Sequence, residues 1–100
     1  MSSSPPAAAA VTADREASPV AVSFAVQARA EPGVMPRIVE LFAKRGLVPH
    51  EWHSTAAGPS LSIDVKVARL DRNLGDYIAR CMRQIIGVDT VLTSETWPPA

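Results

Sequence analysis

The chain of 100 residues has one cysteine, five aromatic residues and no net charge. A lone thiol, Cys81, rules out an internal disulfide framework and any zinc site built from several thiolates, and it suits a reducing cytoplasm. Ten Lys and Arg balance ten Asp and Glu. No summed field therefore draws phosphate backbones or anionic lipid, and so few aromatics cannot build a base-stacking platform. Nucleic-acid and membrane partners are not expected. The only apolar run near the N-terminus, Ala7 to Ala10, is short and follows Pro5 and Pro6. Without an early basic cluster it is expected to make neither a signal peptide nor a membrane span, and the single Arg15 argues against a transit peptide. No carboxylate pair, nucleophile-base arrangement or Walker-type phosphate loop stands out, so independent catalysis is not expected.

Residues 1–18, "MSSSPPAAAAVTADREAS", have almost no bulky apolar side chain to bury and are expected to form a disordered tail rich in Ala, Ser and Pro. Residues 19–95 are the expected domain, with 96–100 as a C-terminal tail. A folded unit of roughly eighty residues buries only about 60% of the surface its unfolded chain exposes, which makes association with other chains plausible before any motif is read.

Within the domain, Val20, Val22, Phe24, Val26 and Ala28 alternate with Ala21, Ser23, Ala25, Gln27 and Arg29, the pattern of a half-buried strand. A Pro32-Gly33 turn follows. Val34, Ile38, Leu41, Phe42 and Arg45 then recur at helical spacing, with Pro36 in the first turn and Gly46 after the basic pair Lys44 and Arg45. "LVPHEWHSTA" reads as an extended segment whose Pro49 belongs at a sheet edge. Ala57-Gly58-Pro59 turns the chain, and Leu61, Ile63, Val65 and Val67 alternate with Ser62, Asp64 and Lys66 as the clearest strand. Asp71 is a good N-cap for a second helix whose apolar stripe runs Leu74, Ile78, Cys81 and Ile85, with Tyr77 and Met82 at its margins. Gly87 closes it, "VDTVLTSE" forms a last strand, and the prolines of "TWPPA" forbid further pairing. The order strand, helix, strand, strand, helix, strand predicts an α+β fold of the ferredoxin-like βαββαβ kind: a four-stranded antiparallel sheet with both helices on one face.

The run "FAVQARAEPGVMPRIVELFAKRGLVPHEWHS", followed by "LSIDVKVARLD" and "IIGVDTVLTSE", resembles the ACT domain, and within it the small regulatory subunits of acetolactate synthase. The most specific stretch is Glu31-Pro32-Gly33-Val34 leading to Leu41-Phe42-Ala43-Lys44-Arg45-Gly46-Leu47. The resemblance implies a dimerising domain without a cofactor of its own. Such a subunit attaches to the large, thiamine-diphosphate-dependent catalytic chain that makes the first committed intermediates of branched-chain amino acids. It also implies an amino-acid effector site at the turn after the first strand and the start of the second, here Ala30, Glu31, Pro32, Gly33, Val34, Met35 and Val48. Small subunits that respond to valine carry asparagines where this chain has Ala30 and Val48. Their absence implies little valine feedback. A free-standing amino-acid sensor regulating another enzyme is the alternative, and a ferredoxin-like nucleic-acid module a third, disfavoured by the neutral charge.

"HEWH" gathers His50, Glu51 and His53, but strand residues three apart point to opposite faces, so no metal site is expected. Val48, His50 and Trp52, on the expected edge strand, are the candidates for a homodimer interface through edge strands, with core filler the other reading of Trp52. Cys81 reads as a small core hydrophobe. Arg72, Arg80 and Arg83 read either as an ordinary solvated face or as a basic contact for an acidic partner.

Overall fold

The computed structural model describes residues 19–96. The expected tail at 1–18 and the last four residues of the expected C-terminal tail lie outside the described residues. Six elements follow in order: β1 (Val20–Arg29), α1 (Val34–Ala43), β2 (Glu51–Ala57), β3 (Ser60–Leu70), α2 (Arg72–Arg83) and β4 (Val88–Thr96). The strands form one sheet in the order β2-β3-β1-β4 with every neighbouring pair antiparallel. This is the ferredoxin-like arrangement that the alternation and the helical spacing predict. Thr96, expected in the tail, is the last residue of β4.

The central strand organises the core. Val20, Val22, Phe24, Val26 and Ala28 of β1 are all buried, against Leu61, Ile63, Val65 and Val67 of β3. The helices cover this face only. From α1, Val34, Ile38 and Phe42 point down, and the Phe42 ring meets Phe24 edge-on with centroids 5.6 Å apart and planes at 77°. From α2, Gly75, Ile78, Ala79 and Met82 are buried, over β1 and β4. The stripe of α2 is thus rotated from the expected one. Met82, placed at the margin by the sequence, is fully buried, while Cys81 is only partly covered. Gly75 lies on the buried side, where a Cβ would make ordinary contacts, 3.4 Å from Leu70 Cδ2 and 3.7 Å from Val22 Cγ2.

Two register shifts adjust the alternation. Val20 pairs with Leu70 but Val22 with Val67, so β3 has an extra residue that turns Leu70 inward, where strict alternation would have pointed Arg69 into the core. Gln27 pairs with Thr90 and Ala28 with Val88, which leaves Asp89 as a bulge at the start of β4.

The helix ends follow local chemistry. Gly46, at φ 68°, donates to the Ala43 carbonyl at 3.1 Å, and Leu47 N–H donates to that of Phe42 at 3.0 Å, which is the Schellman closure expected of a glycine after a basic pair. Oδ1 of Asp71 accepts from the N–H groups of Asn73 at 2.7 Å and Leu74 at 3.3 Å. Arg72 Nε lies 2.7 Å from Oε1 of Glu95 with its N–H off the line to that oxygen, a charge contact that ties the first turn of α2 to the far end of β4.

Gly87 holds the two ends of the helix layer together. Its φ is 102°, its carbonyl accepts from Arg29 N–H at 2.8 Å, and a Cβ would sit 2.9 Å from Val34 Cγ2. Gly87→Ala is therefore expected to destabilise the domain by about 1–3 kcal/mol through backbone strain and displacement of Val34. Gly75→Ala meets only ordinary contacts and gains helix propensity, so it should leave the thermal midpoint unchanged or raise it. Thermal melts followed by circular dichroism read both, and a harmless Gly87→Ala would contradict the packing described. Asp71→Ala should cost about 1 kcal/mol in the same measurement by leaving two N–H groups uncapped.

Candidate functional site

Three N–H groups of the corner between β1 and α1 are already bonded. Ala30 N–H donates to the Pro59 carbonyl at 2.9 Å, Glu31 N–H to that of Arg29 at 2.8 Å, and Val34 N–H to that of Glu31 at 3.1 Å. Pro32 and Pro36 have no N–H to offer. The arginine at the helix's first turn takes up further space. A Cβ built on Gly33 would lie 2.5 Å from Nη1 of Arg37, so the guanidinium rests directly on the glycine backbone that the sequence reading leaves open for an effector. Glu31, half-exposed, is ion-paired with Arg29 at 3.3 Å. Behind the corner a cleft of about 550 Å³ runs between Glu31, Arg37, Cys81, Gln84, Ile85 and Ile86. Arg37 was not singled out by the sequence. The signal was its place one turn after a glycine, since helical side chains lean back toward the N-terminus.

The expected site residues therefore separate. Ala30, Glu31, Pro32 and Gly33 form the corner. Val34 is fully buried and Met35 packs against the core, so their side chains serve the fold. Val48 lies in the loop before β2, three residues ahead of the strand the sequence had it begin, and is 84% exposed.

Trp52 stands on the edge strand β2 and pairs with Val65, so its ring shares the inward face and packs at the margin of the core. Together with Val39, Phe42, Ala43, Leu47, Val48 and Pro49 it lines a cleft of about 190 Å³ under the C-terminal half of α1. His50 is exposed, its N–H bonded to the Lys66 carbonyl at 2.9 Å. His53 lies on the open face of the sheet, 3.9 Å from Glu51, which also contacts Lys66 at 3.5 Å. Among the described residues no His, Cys, Asp and Glu group is placed to hold a metal ion. No described helix is long and apolar enough to cross a membrane.

The surface around that cleft differs from the rest. Pro32, Pro36, Val39 and Ala43 form a second apolar stripe along the outside of α1, with Val39 47% exposed. The stripe adjoins β2, whose outer edge no other strand covers. At the opposite edge, Nη2 of Arg83 donates to the Val91 carbonyl of β4 at 2.8 Å, which places a charge against that strand's backbone.

The comparisons with known proteins agree with this geometry. The ACT domain of a GTP pyrophosphokinase from Chlorobium tepidum is similar with a TM-score of 0.68 at 12% identity, over 76% of this chain and 99% of that one. An uncharacterized protein from Thermotoga maritima gives 0.66 at 13% identity, over 77% and 96%. A homoserine dehydrogenase from Thiobacillus denitrificans gives 0.68 at 15% identity, over 80% of this chain and only 18% of that one, so there the similar fold is a small part of a longer polypeptide. At such identities the likeness is one of fold. No curated protein matches the chain in sequence. A match to the ACT-like domain over residues 14–98, on a fold with the sheet order and one-sided helix layer described above, shows that the chain belongs to the ACT-like family, whose domains are generally small-molecule regulatory and non-catalytic.

Proposed function

We propose that the chain is a regulatory subunit that pairs with a second copy of itself and attaches to the large catalytic chain of acetolactate synthase, activating or stabilising it with little response to valine. The observation that carries the reading is the apolar stripe of α1 beside the bare edge of β2. Side-by-side pairing of two β2 edges about a two-fold axis would continue the sheet and bring the two α1 stripes together, so one operation covers both unpartnered surfaces. Val48 and the cleft over Trp52 lie along that seam. His50 flanks it.

The assignment to acetolactate synthase is supported by the Glu31-Pro32-Gly33-Val34 turn and the segment from Leu41 to Leu47 that it resembles. The weak valine response is supported by the corner. Three of its N–H groups are spent on carbonyls, two positions are proline, and Arg37 covers Gly33. A zwitterion would also lack the amides that Ala30 and Val48 do not provide. The subunit then acts through contact: it shifts a partner toward an active arrangement by binding that arrangement more tightly.

Mixing the purified chain with an acetolactate synthase catalytic chain from the same cell should give co-elution and a higher turnover, changed little by added valine. Separate elution with no change in rate would overturn the assignment. Calorimetry of the chain alone against valine, leucine and isoleucine should show no binding; a saturable heat would favour the free-standing sensor instead.

A further inference from the structure

We propose that Arg45, Tyr77 and Arg80 form a docking contact for an acidic segment of a partner polypeptide. Arg45 follows α1 and Tyr77 and Arg80 belong to α2, so the cluster bridges the two helices on the outer surface, away from the sheet. The guanidinium carbon of Arg45 lies 4.9 Å from the centre of the Tyr77 ring and that of Arg80 lies 5.7 Å from the same centre. Two cations on one ring repel each other, and the ring quadrupole offsets only part of that. Among the described residues neither is ion-paired with a carboxylate. Asp76 stands one turn before Arg80, where a pair would be easy, and Asp71 is already engaged in capping α2. Lys44 adds a further positive charge at the same end of the layer.

The cluster is also arranged in advance. Nη1 of Arg45 donates to the Leu41 carbonyl at 2.8 Å, which fixes the guanidinium while its remaining N–H groups stay available. Tyr77 is 44% exposed. Tyrosine and arginine are the residue types that concentrate binding energy at protein interfaces, and an excess of positive charge held on an aromatic platform complements Asp and Glu side chains flanked by apolar ones. A nucleic-acid strand is a poorer fit, because a single ring offers no series of platforms on which successive bases could stack. The inference rests on the reading of the chain as an accessory subunit only in that the partner is a separate polypeptide.

The test uses the isotopically labelled full chain and a blocked synthetic peptide of glutamate and leucine, with inorganic phosphate and a single-stranded RNA oligonucleotide as separate arms. The peptide should shift the side-chain Nε–Hε signals of Arg45 and Arg80 and the Tyr77 ring signals, with saturation, and high salt should suppress the shifts. Arg80→Gln should weaken the apparent affinity about fivefold, the upper end for an exposed charge pair. Tyr77→Ala should weaken it as well, and backbone amide dispersion reports that both variants stay folded. Shifts by phosphate or RNA without the peptide, equal shifts at Arg37 and Arg69, or no shift at all would each overturn the proposal. No catalytic chain is present in this experiment, so its failure and that of the acetolactate synthase assignment are told apart.

Discussion

The structure depends on the burial of one face of the sheet. β1 is paired on both sides, so it cannot slip by one residue without moving Phe24 and its four apolar companions to the open face and Gln27 and Arg29 into the core. That constraint sets the side on which both helices lie and brings Phe42 onto Phe24. It also determines what stays uncovered. An open sheet with one helical layer has two edges and a bare face, and a domain of this size has no further elements with which to close them.

The exposed regions are chemically distinct, and the distinctions carry the functional reading. The β4 edge has a guanidinium on its backbone and an ion pair at its far end. No guanidinium lies on the β2 backbone among the described residues, the charge contacts of Glu51 and His53 in that strand fall on the open face, and beside the edge lies the outer stripe of α1. The open face is mixed, with Glu51 shared between Lys66 and His53 next to small residues such as Ser23 and Ala25. None of these regions gathers a nucleophile, a base and an oxyanion donor. The use proposed for them is contact with other chains.

Much of this was legible in the sequence. Alternation gave the strands, Gly46 and Asp71 marked helix ends whose hydrogen bonds are as expected, and the order of elements led to the sheet. The candidate site was legible only in its backbone. What was missed depends on two segments meeting. Arg69 and Leu70 exchange places because of a bulge set by the pairing of β3 with β1. The buried side of α2 is set by its packing over β1 and β4, and without that contact the stripe is drawn through Cys81 instead of Met82. The inward side of Trp52, one of the two readings its sequence position allows, is set by its pairing with Val65. Arg37 covers Gly33 because a long side chain on a helix leans toward the N-terminus, a local rule that was available.

The central claim is that this domain works as one half of a pair joined along β2. Sedimentation equilibrium of the full chain, run with Val39→Asp beside the unaltered protein, tests it most directly. The account predicts twice the single-chain mass for the native sequence and the single-chain mass for a folded variant whose outer α1 stripe carries a charge. A native chain that sediments as a monomer at every concentration, or a pair that the substitution leaves intact, would contradict it.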